Sequence, residues 1–169
     1  MMISSTSGRD LRKLPLTILL AGGTAGAIDF AYATAETLLS GGTAARPWSG
    51  VAAALLGVQA VIDGGDAVAL VGVVLHFLIT IGAATIYALV AARLPALVRL
   101  PWAAGIIFGA LFLLAMNYVI LPLSVIGHPL YVGAKGLFDA LISHVLMIRL
   151  PISLITAARL DAEQTRPVA

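Results

Sequence analysis

Long runs of apolar residues are the feature that most constrains the fold of this chain. They cover about residues 15–39, 67–92, 102–121 and 137–158. A helix needs about 20 apolar residues to cross the hydrocarbon core of a bilayer, and each run has that length. Only 11% of the residues are charged, whereas soluble domains carry about a quarter. The sequence therefore predicts one all-α membrane domain over residues 1–169, a four-transmembrane-helix bundle.

A shorter apolar segment over residues 47–62 raises the question of a fifth span. A helix over these residues would be about 24 Å long, which is short for crossing a core of about 30 Å upright. Lys and Arg gather on the cytoplasmic side of membrane proteins. With four spans, seven basic residues lie inside and two outside, whereas a fifth span changes the numbers to four and five. The inside set is Arg9, Arg12, Lys13, Arg93, Arg99, Arg159 and Arg166, and the outside set is Arg46 and Lys135.

This distribution of charge predicts a multi-pass protein of the bacterial inner membrane, with the N- and C-termini in the cytoplasm. Residues 47–62 are then a short re-entrant or interfacial helix on the outer side, between helices 1 and 2. Because this segment has no polar face, we expect it to pack against the bundle and not to lie flat on lipid.

The start of the chain also has features of a cleavable signal peptide, namely basic residues, an apolar stretch and the sequence Ala33-Thr34-Ala35. Gly22, Gly23 and Gly26 interrupt the apolar stretch, however, and Asp29 follows soon after. These features argue against cleavage, so we expect the first run to remain as helix 1.

Glycines at a spacing of four residues mark candidate packing faces in two of the helices. Gly22 and Gly26 form one G-x-x-x-G pair in helix 1, and Gly105 and Gly109 form another in helix 3. Small residues at this spacing let two helices approach closely in lipid. We therefore expect both pairs to lie at helix–helix contacts.

Polar and ionisable residues also occur within the apolar runs. Such residues are expensive inside a bilayer and usually face a bundle interior or a cavity. The rise of about 1.5 Å per residue places them at different depths in the outer half of the bundle. The deeper layer comprises Asp29, His76 and His144, and the shallower layer comprises Glu36, Asn117 and Asp139.

These layers allow three interpretations. A carboxylate beside imidazoles can pass protons near neutral pH, which predicts a path for protons or small ions. The groups of the deeper layer are also suited to hold a divalent metal. Alternatively, Asp29 with His76 and Asp139 with His144 form hydrogen-bonded pairs that hold the helices together, each worth about 0.6–2 kcal/mol.

Arg149 lies in the inner half of helix 4, two residues before Pro151. A long basic side chain near the end of a span can extend toward the membrane surface while its stem stays in the apolar region. We therefore expect Arg149 to reach the cytoplasmic surface and not to form a buried ion pair.

Several classes of function are excluded or disfavoured. The chain contains no cysteine, which excludes disulfides, thiolate catalysis and cysteine-ligated metal sites. It has no phosphate-binding loop, metalloprotease, nucleophile-elbow or carbonyl-filter motif. Its net charge of only +2 comes from basic residues at helix ends, which is typical of membrane topology and not of a nucleic-acid surface. We expect no enzymatic activity, no cofactor and no nucleic-acid partner.

Short motifs along most of the chain resemble a group of short, uncharacterised bacterial inner-membrane proteins, with YagU-like proteins as a more distant relation. The motifs are Gly22, Gly26 and Asp29; Leu75-His76-Phe77; Tyr87; Leu94-Pro95; Gly105 and Gly109; Met116-Asn117; Leu121-Pro122-Leu123; and Asp139 with His144. The resemblance implies a membrane fold and an inner-membrane location, and it implies no reaction.

The sequence thus predicts a small inner-membrane protein whose polar cluster conducts protons or small ions. One alternative is a structural or accessory subunit of a larger membrane complex, and another is an intramembrane metal-dependent enzyme. The expected partners are the lipid bilayer and either further copies of this chain or a larger complex.

Overall fold

The computed structural model describes residues 11–130 and 133–161, and every element in these ranges is helical. After a turn of 3-10 helix at Leu11–Lys13, the helices are α1 (Leu14–Leu39), α2 (Arg46–Leu56), α3 (Val58–Arg93), α4 (Pro95–Arg99) and α5 (Pro101–Leu123). The last helix, α6, consists of the successive segments Gly133–Leu141, Ile142–Arg149 and Leu150–Asp161. Arg9, Arg166 and the side chain of Lys135, which contribute to the charge count, lie outside the described residues.

Within these ranges, four helices are long and apolar enough to cross a membrane, namely α1, α3, α5 and, over Gly136–Asp161, α6. This confirms the prediction of an all-α chain with four long apolar helices. Two of these helices have proline in the first turn, Pro15 in α1 and Pro101 in α5. Proline suits the first turn because the backbone N–H that it lacks has no partner there anyway.

The distribution of side-chain sizes is the reverse of that in a soluble protein. Large apolar side chains face outward, with Leu70 65% exposed and Ile107 60% exposed. Small residues fill the interior, where Ala21, Ala25 and Ala84 are fully buried. Soluble proteins bury their large apolar residues, whereas helices in lipid pack through small ones. The exterior of this bundle therefore matches an apolar surrounding.

The short helix ends earlier than predicted, because α2 stops at Leu56 and not at residue 62. Gly57, which separates α2 from α3, has a φ of 85°, a left-handed conformation that residues with a Cβ rarely adopt. The break predicted at residues 63–66 is a kink inside α3, where Gly65 has a φ of 54°. The long helix therefore includes residues that were assigned to the short one.

The short helix α2 folds back along α3 and packs closely against it. Trp48, Ala52 and Ala53 form the buried face of α2. The approach is closest at Gly72 of α3, where a Cβ would overlap the carbonyl oxygen of Trp48. Packing against the bundle is what the absence of a polar face on this segment predicts.

Both glycine pairs lie where helices of the same chain meet. A Cβ at Gly22 would lie 2.7 Å from the Cα of Ile81 in α3. A Cβ at Gly109 would lie 2.8 Å from the Cα of Val145 in α6. Gly26 and Gly105 make comparably close contacts, with Thr80 and Ser153 respectively.

The bundle has an apolar end and a polar end. In the bundle α1 contacts both α3 and α6, and α6 in turn contacts α5. Toward the end that carries α4, an apolar cluster fills the interior, with Tyr87, Ile152 and Leu160 as its largest fully or nearly fully buried members. At this end the Nε–H of Arg159 donates a hydrogen bond to Thr17 Oγ1 at 3.0 Å, which joins α6 to α1. The buried polar groups described next lie toward the opposite end, which carries α2.

Candidate functional site

A cavity of about 570 Å³ lies where α1, α2, α3, α5 and α6 meet. Most of its wall is apolar, and its polar lining comes chiefly from a group of buried or half-buried side chains. These are Asp29, His76, Thr80, Ser143, His144 and Arg149. Leu55 and Ile120, which also line the cavity, are 58% and 49% exposed. The cavity therefore reaches the outer surface of the bundle between α2 and α5.

Asp29 joins α1 to two other helices at the wall of this cavity. Its carboxylate accepts a hydrogen bond from the hydroxyl of Ser143 in α6, with a separation of 2.6 Å between Oγ and Oδ1. Its other oxygen, Oδ2, lies 3.9 Å from Nδ1 of His76 in α3. Asp29 is 6% exposed, so these contacts take the place of water around the carboxylate.

The hydrogen bond made by Nε2 of His76 determines the tautomer of the neutral ring. It therefore determines whether Nδ1, the nitrogen that faces Asp29, carries a hydrogen or a lone pair. Nε2 of His76 lies 3.0 Å from the carbonyl oxygen of Gly26. A carbonyl can only accept, so Nε2 carries the hydrogen and donates it. In the neutral ring Nδ1 is then an acceptor, and it faces a carboxylate that is also an acceptor. One proton placed between them converts this arrangement into an attractive one.

An aromatic shell surrounds His76. The ring centroids of Trp48 and His76 lie 5.0 Å apart in an edge-on arrangement, and Phe77 lies 5.3 Å away on another side. Trp48 is itself stacked on Phe30 at 4.4 Å, and its indole N–H donates to Thr34 Oγ1 at 3.2 Å. Edge-on and offset arrangements are the favourable geometries for aromatic pairs, so this shell fixes the orientation of the imidazole.

His144, the third member of the predicted deeper layer, lines the same cavity but makes a different contact. Its Nδ1–H donates to the carbonyl oxygen of Ala140, one turn earlier in α6, at 2.9 Å. Asp29 and His76 are thus brought into contact, whereas His144 is held by its own helix in the wall of the shared cavity.

The residues of the predicted shallower layer differ in exposure. Glu36 and Asp139 are exposed at the surface of the protein, while Asn117 is fully buried. Asn117 Oδ1 accepts a hydrogen bond from the backbone N–H of Leu130 at 3.1 Å, which ties the loop after α5 to the helix. The depth of a residue along its helix therefore does not determine whether its side chain faces the interior of the bundle or its surface.

The metal interpretation requires three ligands in one place. Across residues 11–130 and 133–161, no group of three His, Asp or Glu side chains has the arrangement needed to hold a metal ion. Asp29 and His76 supply two such groups, and Nδ1 of His144 is occupied by a carbonyl.

Arg149 corrects a sequence-based expectation. It is fully buried and does not extend to the cytoplasmic surface. Its Cζ lies 3.4 Å from the ring centroid of Phe112 and 5.3 Å from that of Phe108. The expectation was wrong because Phe108 and Phe112, four residues apart on one face of α5, form a stacking surface for the guanidinium inside the bundle.

The guanidinium has no hydrogen-bond acceptor at any of its nitrogen atoms, Nε, Nη1 and Nη2. Asp29 is near enough for an electrostatic attraction, but its carboxylate is directed to Ser143 and His76 instead. An arginine without acceptors is unusual, because buried charges are normally paired and hydrogen-bonded.

Two π-helical segments border the cavity, and sequence reasoning missed both. They are Met116–Ile120 in α5 and Ile142–Arg149 in α6. Each is followed by a leucine and then a proline, Pro122 or Pro151. A proline removes an N–H donor and frees a carbonyl in the preceding turn, and π-helical turns are frequent at functional sites. The Leu-Pro sequence that follows each segment is the feature of the sequence from which these π-helical segments could have been predicted.

Comparison of the chain with protein-family models, curated proteins and solved structures finds no match. The resemblance to short bacterial inner-membrane proteins therefore stays a prediction.

Proposed function

We propose that this chain is a multi-pass protein of the bacterial inner membrane, with both termini in the cytoplasm, that conducts protons or small ions through its buried polar cluster. Four long apolar helices and an exterior of large apolar side chains support membrane insertion. The excess of Lys and Arg on one side of a four-span arrangement supports the orientation.

The observation that carries the proposal is the geometry of Asp29 and His76. Oδ2 of Asp29 and Nδ1 of His76 face each other at 3.9 Å, while the opposite side of the imidazole is fixed on Gly26. A proton taken up here bonds to either group and is attracted by the other, so uptake and release both remain accessible.

The cavity supplies one side of a route for the proton. It connects Asp29 and His76 with the exposed rim at Leu55 and Ile120. Toward the α4 end, the apolar cluster around Ile152 and Leu160 separates these groups from the other surface. Transfer of a proton across the whole bundle therefore requires a second conformation. The π-helical segments in α5 and α6 are the places where such a change would occur, because these helices depart there from regular backbone hydrogen bonding.

Proton flux into liposomes tests the proposal directly. The full chain is reconstituted with a trapped pH dye, and a potassium gradient with an ionophore supplies the driving force. The unaltered chain should acidify the interior. Asp29→Asn should reduce the flux to that of empty liposomes, because an amide binds no proton. His76→Gln should do the same while retaining a donor toward Gly26.

Glu36→Gln provides the matched control, because Glu36 lies on the same helix but is exposed outside the cavity. Its flux should equal that of the unaltered chain. Equal flux from Asp29→Asn and the unaltered chain would refute the proposal. The proposal would also be refuted if the unaltered chain gave no flux and Asp29→Asn lowered the unfolding temperature. Those two results together would describe a purely structural contact.

The accessory-subunit alternative receives less support from the fold. Small-residue faces could serve to pack against another protein, but both G-x-x-x-G pairs are covered by helices of the same chain, Gly22 by α3 and Gly109 by α6. These faces are not available for packing against a second chain.

A further inference from the structure

The side chain of Arg149 lacks what a buried guanidinium normally has. It is fully buried, and none of its nitrogen atoms has an acceptor. A guanidinium presents five N–H donors in a planar fork, and a buried charge without hydrogen bonds is strongly unfavourable. The stacking on Phe112 and Phe108 offsets part of this cost but leaves every donor unused. The arrangement calls for an acceptor that arrives from outside the chain.

The cavity is the place from which such an acceptor reaches Arg149. Arg149 and Phe112 form adjoining parts of its wall. The ring of Phe112 covers one face of the guanidinium, with Cζ 3.4 Å from the ring centroid. The N–H donors lie in the plane of the guanidinium, so this stacking does not occupy them. The volume of about 570 Å³ falls within the range of about 300–1,000 Å³ that is typical of pockets for small organic ligands.

We propose that this cavity binds a small amphipathic carboxylic acid, with its carboxylate held by Arg149 and its apolar body among the side chains of the wall. A planar carboxylate accepts two parallel hydrogen bonds from a guanidinium. The wall along the remaining length is mainly apolar and includes Trp48, Ile79 and Met116. The site is independent of proton conduction, because it depends on donors that the Asp29–His76 pair does not use.

The charges in the cavity favour a carboxylate over a phosphate. Arg149 is the only Lys or Arg in the described lining, and Asp29 already contributes a negative charge. A monocarboxylate adds one negative charge beside the single guanidinium. A phosphate dianion would bring a second negative charge into a space of low polarity, where unpaired charge is costly.

The position of the opening indicates how the ligand enters. The rim residues Leu55 and Ile120 are exposed on the same apolar exterior that surrounds the bundle. An amphipathic acid dissolved in a membrane reaches such an opening sideways, with its apolar body already desolvated. A fully hydrated short acid has no such advantage.

Quenching of Trp48 by 8-bromooctanoate tests the site, because bromine quenches indole fluorescence on contact and Trp48 lines the cavity. The full chain is used with Trp102→Phe, which removes the signal of the exposed Trp102. Saturable quenching is expected. Octanoate should displace the probe. Octanol should not, because it lacks the carboxylate, and acetate should not, because it lacks the apolar body. Inorganic phosphate should not displace the probe either, because it lacks the apolar body and its dianion carries two charges.

Arg149→Gln should weaken binding by about tenfold or more, because the charge-assisted bidentate pair is lost. Arg99→Gln, which alters an exposed arginine at the α4 end, should leave binding unchanged. Quenching that does not saturate, or equal affinity of Arg149→Gln and the unaltered chain, would overturn the proposal. Equal displacement by octanol and octanoate would also overturn it, and this comparison needs no variant, so it holds even where Arg149→Gln fails to fold. Flux experiments on Asp29 do not influence any of these results.

Discussion

At the scale of single residues, the buried polar side chains of this protein have distinct tasks. Asp29 contacts α3 and α6 through His76 and Ser143, and the proposed function places the conducted proton at this contact. Asn117 has a structural task, because its side-chain oxygen accepts the N–H of Leu130 and so closes the loop over the cavity. Substitution of Asp29 and substitution of Asn117 should therefore affect different properties of the protein, although both side chains are polar and buried.

Asn117→Ala should lower the free energy of unfolding by about 1–3 kcal/mol, because it leaves the backbone N–H of Leu130 without this acceptor in a partly buried loop. Thermal unfolding of the full chain in mild detergent measures the effect. Tyr118→Phe is the control, since Tyr118 is 52% exposed on the neighbouring position, and it should change the unfolding temperature little. If both variants unfold alike, the hydrogen bond to Leu130 has no structural importance.

At the scale of elements, glycine positions govern how closely the helices pack. Gly72 allows the backbone of α2 to rest directly on α3, beside Trp48. Gly82 lies on the same helix α3 but has no neighbouring atom within 4 Å of a built Cβ. Alanine variants at these two positions therefore distinguish two effects on stability. One is the cost of overlap at a close helix contact, and the other is the higher helix propensity of alanine.

Gly72→Ala should destabilise the protein by about 1–3 kcal/mol, the usual cost of an overpacked contact. The added methyl would overlap the carbonyl of Trp48, so α2 must move away from α3. Gly82→Ala should stabilise the protein by about 0.5–1 kcal/mol, because alanine is the better helix former. Thermal unfolding together with Trp48 fluorescence distinguishes the two. A stabilising effect of Gly72→Ala would mean that α2 does not pack on α3 in this way.

At the scale of the whole molecule, the helices form a bundle with an apolar exterior, an apolar interior toward the α4 end and a polar cavity toward the α2 end. With four spans, the loop between α1 and α2 and the segment α4 lie on opposite sides of the membrane. The charge distribution predicts that α4, with Arg93 and Arg99 beside it, faces the cytoplasm.

Cysteine labelling tests this orientation, and the chain is suited to it because it contains no cysteine of its own. Thr43→Cys and Ala96→Cys introduce a thiol at exposed positions of the two loops. In whole bacterial cells with a permeable outer membrane, an impermeant maleimide should label Thr43→Cys. Ala96→Cys should react only after lysis. The opposite pattern would reverse the orientation, and labelling of both before lysis would argue against four spans.

The candidate site was predictable in part. The residues Asp29 and His76 stand out because ionisable groups interrupt apolar runs, and the structure brings them together. Glu36, which was predicted to lie in the shallower layer of the bundle, is exposed. Arg149 was noticed but given the wrong environment, because the stacking surface that receives it belongs to another helix, α5.

The sequence by itself determined the number of the long helices and their apolar character. These properties are local, because backbone hydrogen bonds within a helix and the length of an apolar run involve only neighbouring residues. Only the tertiary structure decided that Ser143 meets Asp29 across more than a hundred residues of chain, that α2 ends at Gly57, and that Arg149 is enclosed without an acceptor. Those features depend on how each helix is rotated and how closely it approaches its neighbours, which side-chain packing sets between elements distant in sequence.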